Sequence, residues 1–465
     1  MKQRKWSSFQ IQNALSLSKK FKHSISGISI NTKTLKKNNL FIPIKGQNHD
    51  GHKYVHEAFK KGASLSLSNK KGYEEFKLKK FKKKIILVKN PLSSLHKFAS
   101  YSRKKIKGRI IGITGSVGKT SIKDALTFIL NDKKKVQSSI GNFNNMIGMP
   151  LNLANFKENI DVSILELGMN KKGEIKKLSN ICKPDIGIIT KISNAHLGNF
   201  NSLKDIALAK SEIFYGMKKT GTAIINKNDP NYFILEKILK KLKINNILTF
   251  GKGKKCDIRL INFKHNKNHY SSEVFLEVLG KKINFGLNNL GDHWVENSLA
   301  IASIITALNE NIEFYLKKLA KFNAIKGRGN ILNIKFKNKK ITLIDDSYNS
   351  SPESLNASII FLNRLGYNKR KICVLGDMYE LGKFSKKFHL KIEKVLKDNK
   401  ISNVYTIGNE MNYLFNKLSK SINCKHSENL EELYFHLKEN IKNDDIILFK
   451  GSRAMKLDKI IKKFY

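Results

Sequence analysis

The sequence predicts an α/β protein of three units, 1–107, 108–325 and 326–465. Three observations carry that prediction. At 465 residues the chain is long enough for about three domains with sizeable cores. From Arg109 onward short apolar runs alternate with helical patterns, the order that builds mainly parallel sheets. Lys79 to Lys84 and RKKIKGR at 103–109 read as charged connectors, which places the first division near 107, and the third unit starts near Lys326-Gly327-Arg328.

In the first unit an apolar strand, Leu40 to Ile44, leads into a polar glycine loop holding Gly46 and Asp50, and then into a helix. Asp50, Gly51 and His52 suit a turn and helix cap as well as a ligand contact.

The second unit opens on RIIGITGSVGKTSIKDALTFIL, 109–130, a strand, glycine-rich turn and helix in the order of a phosphate-binding loop. Gly115 and Gly118 let backbone N–H groups converge on an anion, Lys119 reaches the outer phosphates, and the Thr120 hydroxyl suits Mg²⁺. The match to G-x-x-x-x-G-K-S/T is incomplete, because Ile113 stands where the first glycine belongs. Further strands are expected at Asp161–Leu167, Ile186–Thr190 and Thr222–Asn226. Ligands gather at the carboxyl ends of such strands, where Glu166 and the loop containing His196 fall. His196 by itself suits packing or capping equally well; its place after a strand beside the phosphate loop favours a Mg²⁺ contact. Ser202 to Met217 reads as a Ser-capped amphipathic helix in which Lys210, among Ala207, Ala209, Ile213 and Phe214, is partly buried. Residues 251–290 read as a polar insertion with a hairpin turning at Gly280, followed by a helix from Gly291.

The third unit alternates again: strand 341–345, helix 352–365, strand 371–375, helix 386–398, strands 403–407 and 445–449, and a terminal helix. Three strand ends carry DDSYNSSPES, GDMYELG and KGSR, polar loops expected to face one crevice. The absence of G-x-G-x-x-G argues against a nicotinamide cofactor.

Composition narrows the class. No apolar run approaches the ~18 residues of a membrane span, and the basic N-terminus lacks an apolar export segment, so a cytoplasmic protein is expected. Cys182, Cys256, Cys373 and Cys424 lack metal or redox spacing and suit reduced thiols. The formal charge of +51 is nearly all lysine; arginine occurs only at 4, 103, 109, 259, 328, 364, 370 and 453. Nucleic-acid surfaces depend on the arginine fork, so the lysines read as solvated surface and no nucleic-acid partner is expected.

TGSVGKT at 114–120, GNFNNMIGMP at 141–150, ELGMNKKGEI at 166–175, AHL at 195–197, AKSEIF at 209–214, KGR at 326–328, DDSYNSSPES at 345–354, GDMYELG at 376–382 and KGSR at 450–453 together resemble the Mur ligases. The resemblance spans the whole chain. It implies an N-terminal UDP-substrate-binding α/β domain, a central P-loop ATPase-like parallel sheet and a C-terminal Rossmann-like domain. The implied reaction uses ATP and Mg²⁺ to form an acyl phosphate that an amine displaces in peptidoglycan precursor synthesis. DDSYN followed by P-E-S points, within the family, to addition of D-alanyl-D-alanine to UDP-N-acetylmuramoyl-tripeptide. A soluble monomer without a membrane partner is expected.

By that resemblance Gly115, Ser116, Val117, Gly118, Lys119, Thr120 and Ser121 hold the ATP phosphates, with Asn297, Arg328 and Asp346 at adenine, phosphate and ribose. Thr120 and Glu166 serve Mg²⁺, and His196 a second Mg²⁺ together with Lys210 as a carbamate, so Lys119, Lys210 and His196 are the candidate catalytic residues. Asn31, Thr32, Gly46 and Asp50 are candidate UDP-substrate contacts, and Tyr348, Asn349, Lys450 and Arg453 lie in C-terminal loops that close on the site. The chain departs from the family pattern at Asn31 and Lys33, Lys191, Gly198 and Trp294. A Mur-type ligase adding another amino acid, and a basic P-loop ATPase binding nucleic acid, are the alternative readings.

Overall fold

The computed structural model describes residues 4–18, 23–46, 48–194, 197–266, 271–288, 291–419 and 421–465. Each third of the chain builds its own sheet. The first has β1 (Ile28–Ser29), β2 (Leu40–Phe41), β3 (Leu65–Ser68) and β4 (Ile85–Leu87), all parallel and in chain order. Only Leu40 and Phe41 of the expected 40–44 strand pair in the ladder.

The central sheet contains β5 (Arg109–Thr114), β6 (Val136–Ser138), β7 (Val162–Glu166), β8 (Ile186–Ile189), β9 (Thr222–Asn226), β10 (Asn246–Gly251), β11 (Ile258–Asn266), β12 (Ser271–Val278) and β13 (Lys281–Leu287). Their order is β13-β12-β11-β10-β9-β8-β5-β7-β6, parallel from β11 to β6 and antiparallel from β11 to β13. The apolar strands β5, β7 and β8 are buried, as strands covered on both faces must be. The 251–290 segment, expected as a polar insertion, adds β11, β12 and β13 to the end of this sheet. Its hairpin turns where expected, with Leu279 and Gly280 at φ of 48° and 87°, the left-handed pair of a tight two-residue turn.

The third sheet holds β14 (Asn330–Phe336), β15 (Lys339–Asp346), β16 (Lys371–Gly376), β17 (Asn403–Ile407), β18 (Asn423–Ser427) and β19 (Ile446–Lys450) in the order β14-β15-β19-β16-β17-β18. Only β14 runs antiparallel, and β15, β19 and β16 are immediate neighbours. Their three polar loops therefore leave one sheet edge side by side.

Leu78–Lys84 forms a 3-10 helix, so the first predicted connector is helical, whereas of the second only 103–105 are, finishing the helix Pro91–Lys105 before β5 starts at Arg109. That helix and Trp6, Ile11 and Phe98 join Met149, Leu153 and Leu178 in one continuous core linking the first two sheets. The Asn155 amide spans the same joint, accepting from the Ile28 N–H at 2.9 Å and donating to the Ile28 carbonyl at 3.0 Å. The third sheet carries its own cores, one on each face. It meets the central unit through half-buried Phe384 and Phe388 and through polar contacts: Asn194 with Glu353, Gly198 with Glu380, and Arg364 with Asp292.

Seven of the eight arginines engage a carboxylate or an aromatic ring. Arg4 pairs with Glu158 and lies over Trp6, Arg103 with Asp185, Arg259 with Glu277, Arg364 with Asp292, Arg370 with Asp445 and Arg453 with Asp458, while Arg328 lies over Tyr348.

Candidate active site

The phosphate loop lies between β5 and the helix Lys119–Leu130. Gly115 has φ of 153°, and a Cβ there would sit 1.9 Å from Thr190 Oγ1. That hydroxyl donates to the Val117 carbonyl at 2.6 Å. Gly118 opens the helix at φ of 89°, and a Cβ there would lie 2.7 Å from Asn297 Oδ1. The loop therefore requires glycine for conformation and for close approach. Asn297 stands directly against it. The Ser116 hydroxyl is engaged by the loop after β8, donating to the Ser193 carbonyl and accepting from the Ser193 N–H at 3.0 Å each. Ser121 follows Thr120 on the first helical turn.

Lys119 curls back over the loop, its ammonium donating to the Gly115 carbonyl at 2.5 Å. Burial lowers its pKa from the ordinary amine value, Arg328 adds to that, and the charges of Glu166 and Glu380 oppose it. Two groups from the C-terminal unit thus act on the phosphate loop lysine. Thr120 Oγ1 donates to Glu166 Oε2 at 3.1 Å, with the carboxylate fully buried at the end of β7. The other oxygen, Glu166 Oε1, makes no hydrogen bond and lies 3.4 Å from the Lys123 ammonium. A hydroxyl beside a buried carboxylate with an unsatisfied oxygen is a hard donor set that fits Mg²⁺. Among the described residues no group of three His, Cys, Asp or Glu forms a metal cluster. His196 lies outside the described residues.

Lys210 lies in the last turn of the helix Leu203–Ser211, which Ser202 caps as expected; the chain then tightens to 3-10 geometry over Glu212–Gly216 instead of continuing to Met217. Lys210 is buried, deeper than the sequence suggested. Desolvation pulls its pKa well below the ordinary amine range and the Lys119 charge lowers it further, so the two lysines share one electrostatic site.

In the C-terminal unit Asp346 ends β15 and accepts from Lys450 Nζ at 2.7 Å and Ser358 Oγ at 2.6 Å. Lys450 also donates to the Asn349 carbonyl at 3.0 Å, joining the DDSYN and KGSR loops. Arg328 lies over the Tyr348 ring at 4.2 Å and Arg453 approaches the same ring at 5.7 Å. In the first unit, Asn31 and Thr32 follow β1, and Gly46 and Asp50 follow β2, so all four lie beyond the carboxyl ends of adjacent parallel strands. Asn31 Oδ1 accepts from the Lys33 N–H, and Asp50 accepts from both the His52 backbone N–H and its ring, the helix-cap role open to it from sequence.

Two groups at the site carry no motif, and others sit inside quoted motifs without a role assigned to them. Lys123 and Asp124 are a basic and an acidic residue on a helix otherwise read as core. Lys123 stands four residues after Lys119, hence on the same helix face, and that spacing was the available signal. Glu353 and Glu380 reach the central unit only through folding. Lys191, at a position where the family pattern has another residue, pairs with Glu296 beside Asn297.

Comparison with known proteins identifies the family from matches along the chain. Residues 24–103 match the description "Mur ligase family, catalytic domain", 113–305 "Mur ligase middle domain" and 327–453 "Mur ligase, glutamate ligase domain". Relatives named UDP-N-acetylmuramoyl-tripeptide--D-alanyl-D-alanine ligase include one from Rickettsia prowazekii, 37% identical over 98% of this chain and 99% of its own. A Bacillus subtilis relative of the same name is 33% identical over 94% and 93%. Among solved structures, MurF from Acinetobacter baumannii superposes with a TM-score of 0.88 at 24% identity, covering 100% of this chain and 99% of that one, which speaks to the fold. MurF ligase from Thermotoga maritima, solved in complex with ADP, gives 0.79 at 27% identity over 94% and 96%. With three matched domains in order and a full-length relative above a third identical, the chain belongs to the Mur ligase family.

Proposed function

We propose that this chain is an ATP-dependent ligase that joins D-alanyl-D-alanine to UDP-N-acetylmuramoyl-tripeptide, completing the peptidoglycan pentapeptide precursor. The observation that carries this reading is full-length similarity to relatives bearing that name, over a chain whose C-terminal unit meets the loop after β8 through Asn194 with Glu353 and Gly198 with Glu380. A substrate carboxylate oxygen attacks the γ-phosphorus of ATP and ADP leaves. The amine of the dipeptide then adds to the acyl carbon, and the tetrahedral intermediate expels phosphate as the amine loses its proton. The phosphate route replaces hydroxide, a far poorer leaving group.

Each role belongs to named residues. Lys119 leaves the Gly115 carbonyl for the phosphates and balances charge on the transferring group. The 115–120 backbone fixes the remaining phosphate oxygens, and Asn297, Arg328 and Asp346 hold adenine, phosphate and ribose. Thr120 and Glu166 would hold Mg²⁺, which supplies charge neutralisation there. Buried Lys210 is read as a carbamate supporting a second metal with His196. Asn31, Thr32, Gly46 and Asp50 face the UDP moiety, and Tyr348, Asn349, Lys450 and Arg453 close over the peptide end. The first division of the chain falls near 107 and the second near 325, and the enzyme works as a cytoplasmic monomer.

The decisive assay follows phosphate release. Release should require both a UDP-muramoyl tripeptide and D-alanyl-D-alanine, and running it with the diaminopimelate- and lysine-containing tripeptides identifies the third residue. Release driven by another amino acid, or stimulated by polynucleotide without the tripeptide, overturns the reading.

A further inference from the structure

The helix after the phosphate loop carries an ammonium that the reaction scheme above leaves unused. Lys123 is 2% exposed. Its Nζ donates to the carbonyls of Ser139 at 2.9 Å and Gly141 at 3.3 Å, and stands 3.1 Å from Asp124 Oδ1 and 3.4 Å from Glu166 Oε1. Four oxygens from three separate segments enclose one positive charge. A buried lysine held this way is costly to desolvate and to order, so the sequence retains it against a strong opposing term. Two links leave the cage. One reaches the carboxylate whose other oxygen accepts from Thr120. The other reaches the turn after β6, where the Ser139 hydroxyl meets the Glu166 backbone N–H at 3.2 Å and the Ile140 N–H is held by Asn152.

We propose that Lys123 is a positioning residue: its caged ammonium holds Oε1 of Glu166 so that Oε2 faces Thr120, and ties the 139–141 turn to the phosphate-loop helix. This rests on the reading of Glu166 and Thr120 as the Mg²⁺ site. Without the ammonium, Glu166 loses the group that fixes its rotation, and the 139–141 turn loses both carbonyl anchors to this helix. A lysine that merely screened charge would act in the opposite direction. Removing a screening cation beside a metal ligand strengthens the attraction for Mg²⁺, whereas removing a positioning one weakens binding.

The sign of the change therefore tests the proposal. Binding of a non-hydrolysable ATP analogue to the full chain is titrated by calorimetry across Mg²⁺ concentrations for wild type, Lys123→Met, Lys123→Arg and Glu166→Gln, with thermal melting in parallel. Lys123→Met should raise the half-saturating Mg²⁺ at least fivefold. Lys123→Arg keeps the charge but cannot fit a planar fork into a cage shaped for one nitrogen, so it should remain folded and show a rise of the same sign. Should Lys123→Met fail to fold, Lys123→Arg alone decides. Adding ammonium chloride, but not tetramethylammonium chloride, to a folded Lys123→Ala protein should recover part of the Mg²⁺ response by refilling the cage. Unchanged or tighter Mg²⁺ binding in folded Lys123 variants, while Glu166→Gln weakens it, overturns the positioning role alone. Unchanged Mg²⁺ binding in Glu166→Gln overturns the metal reading on which it rests.

Discussion

Arg364, on the C-terminal unit, grips the Asp292 carboxylate at the start of a central-unit helix with two hydrogen bonds of 2.5 and 3.0 Å. His265 Nε2 on β11 donates to the same carboxylate at 3.0 Å. Arg364 is 41% exposed and Asp292 48%, so the pair is a solvent-screened clasp and contributes at most about 1 kcal/mol. A joint this weak between separately cored units favours domain motion. Small-angle scattering should show a smaller radius of gyration with ATP analogue plus UDP-substrate, and Arg364→Ala should enlarge the unliganded particle. Identical dimensions in every state would count against closure.

The phosphate loop predicts the largest catalytic effect. Lys119→Ala removes the cation nearest the transferring phosphoryl group and should lower kcat on the order of 10³-fold. The melting temperature should hold or rise, because Lys119 is desolvated in the folded chain. Activity within about tenfold of wild type, a far smaller loss than this role implies, would remove Lys119 from the phosphate site.

Lys210 carries the carbamate prediction. Its pKa is displaced well below the ordinary amine value, and the neutral amine is the form present above that displaced value. Carbamate formation, in which the amine adds to CO₂ and releases a proton, is therefore favoured as pH rises through it. Lys210→Ala should lose most activity and regain part of it with added bicarbonate or a short-chain carboxylate, and Lys210→Arg should not. An active alanine variant, or one indifferent to carboxylate while folded, would leave Lys210 a structural residue of its helix.

The approach of Gly198 to Gly382 sets a steric prediction. The Gly198 N–H donates to the Glu380 carbonyl at 2.9 Å, and a Cβ on Gly382, at φ of 52°, would stand 2.6 Å from Gly198 Cα. Gly382→Val should strain the loop and wedge the two units apart, lowering kcat/KM by about tenfold or more, the scale expected of a misplaced closing element. Leu381 beside it belongs to the C-terminal core and Phe384 packs on the central one, so some loss of melting temperature should accompany the change; an unaffected kcat/KM would show that this contact is absent from the working state.

The repeated strand and helix pattern was legible because β5, β7, β8 and β9 are apolar runs with polar ends, and burial on both faces demands that composition. What escaped lies partly at edges and partly inside, since β3 and β10 are interior strands that the sequence reading did not place. β18 reads NCKHS without a hydrophobic signature, β14 reads NILNIKF but is only half-buried at the sheet edge, and β1 is two residues long. At the site, glycines and phosphate-loop residues announce themselves by local spacing. Lys123 does not, and Glu353, although inside P-E-S, shows no contact there, since their meaning comes from partners 43 and 159 residues away, Glu166 and Asn194.

The placement of the arginines has a wider consequence. In a chain with 88 basic residues, all but eight are lysine, and of those eight all but Arg109 meet an acid or a ring. Where a point charge suffices, lysine stands; where a planar fork must clasp a carboxylate or lie on an aromatic face, arginine persists. Five of the eight arginines stand at joints between units or at the crevice. Arg4 and Arg103 sit between the first two units, Arg364 between the last two, Arg370 closes the floor of the third sheet on Asp445, and Arg328 and Arg453 flank Tyr348 at the mouth of the crevice. In so lysine-saturated a protein, the rare guanidinium groups chart the seams of the machine.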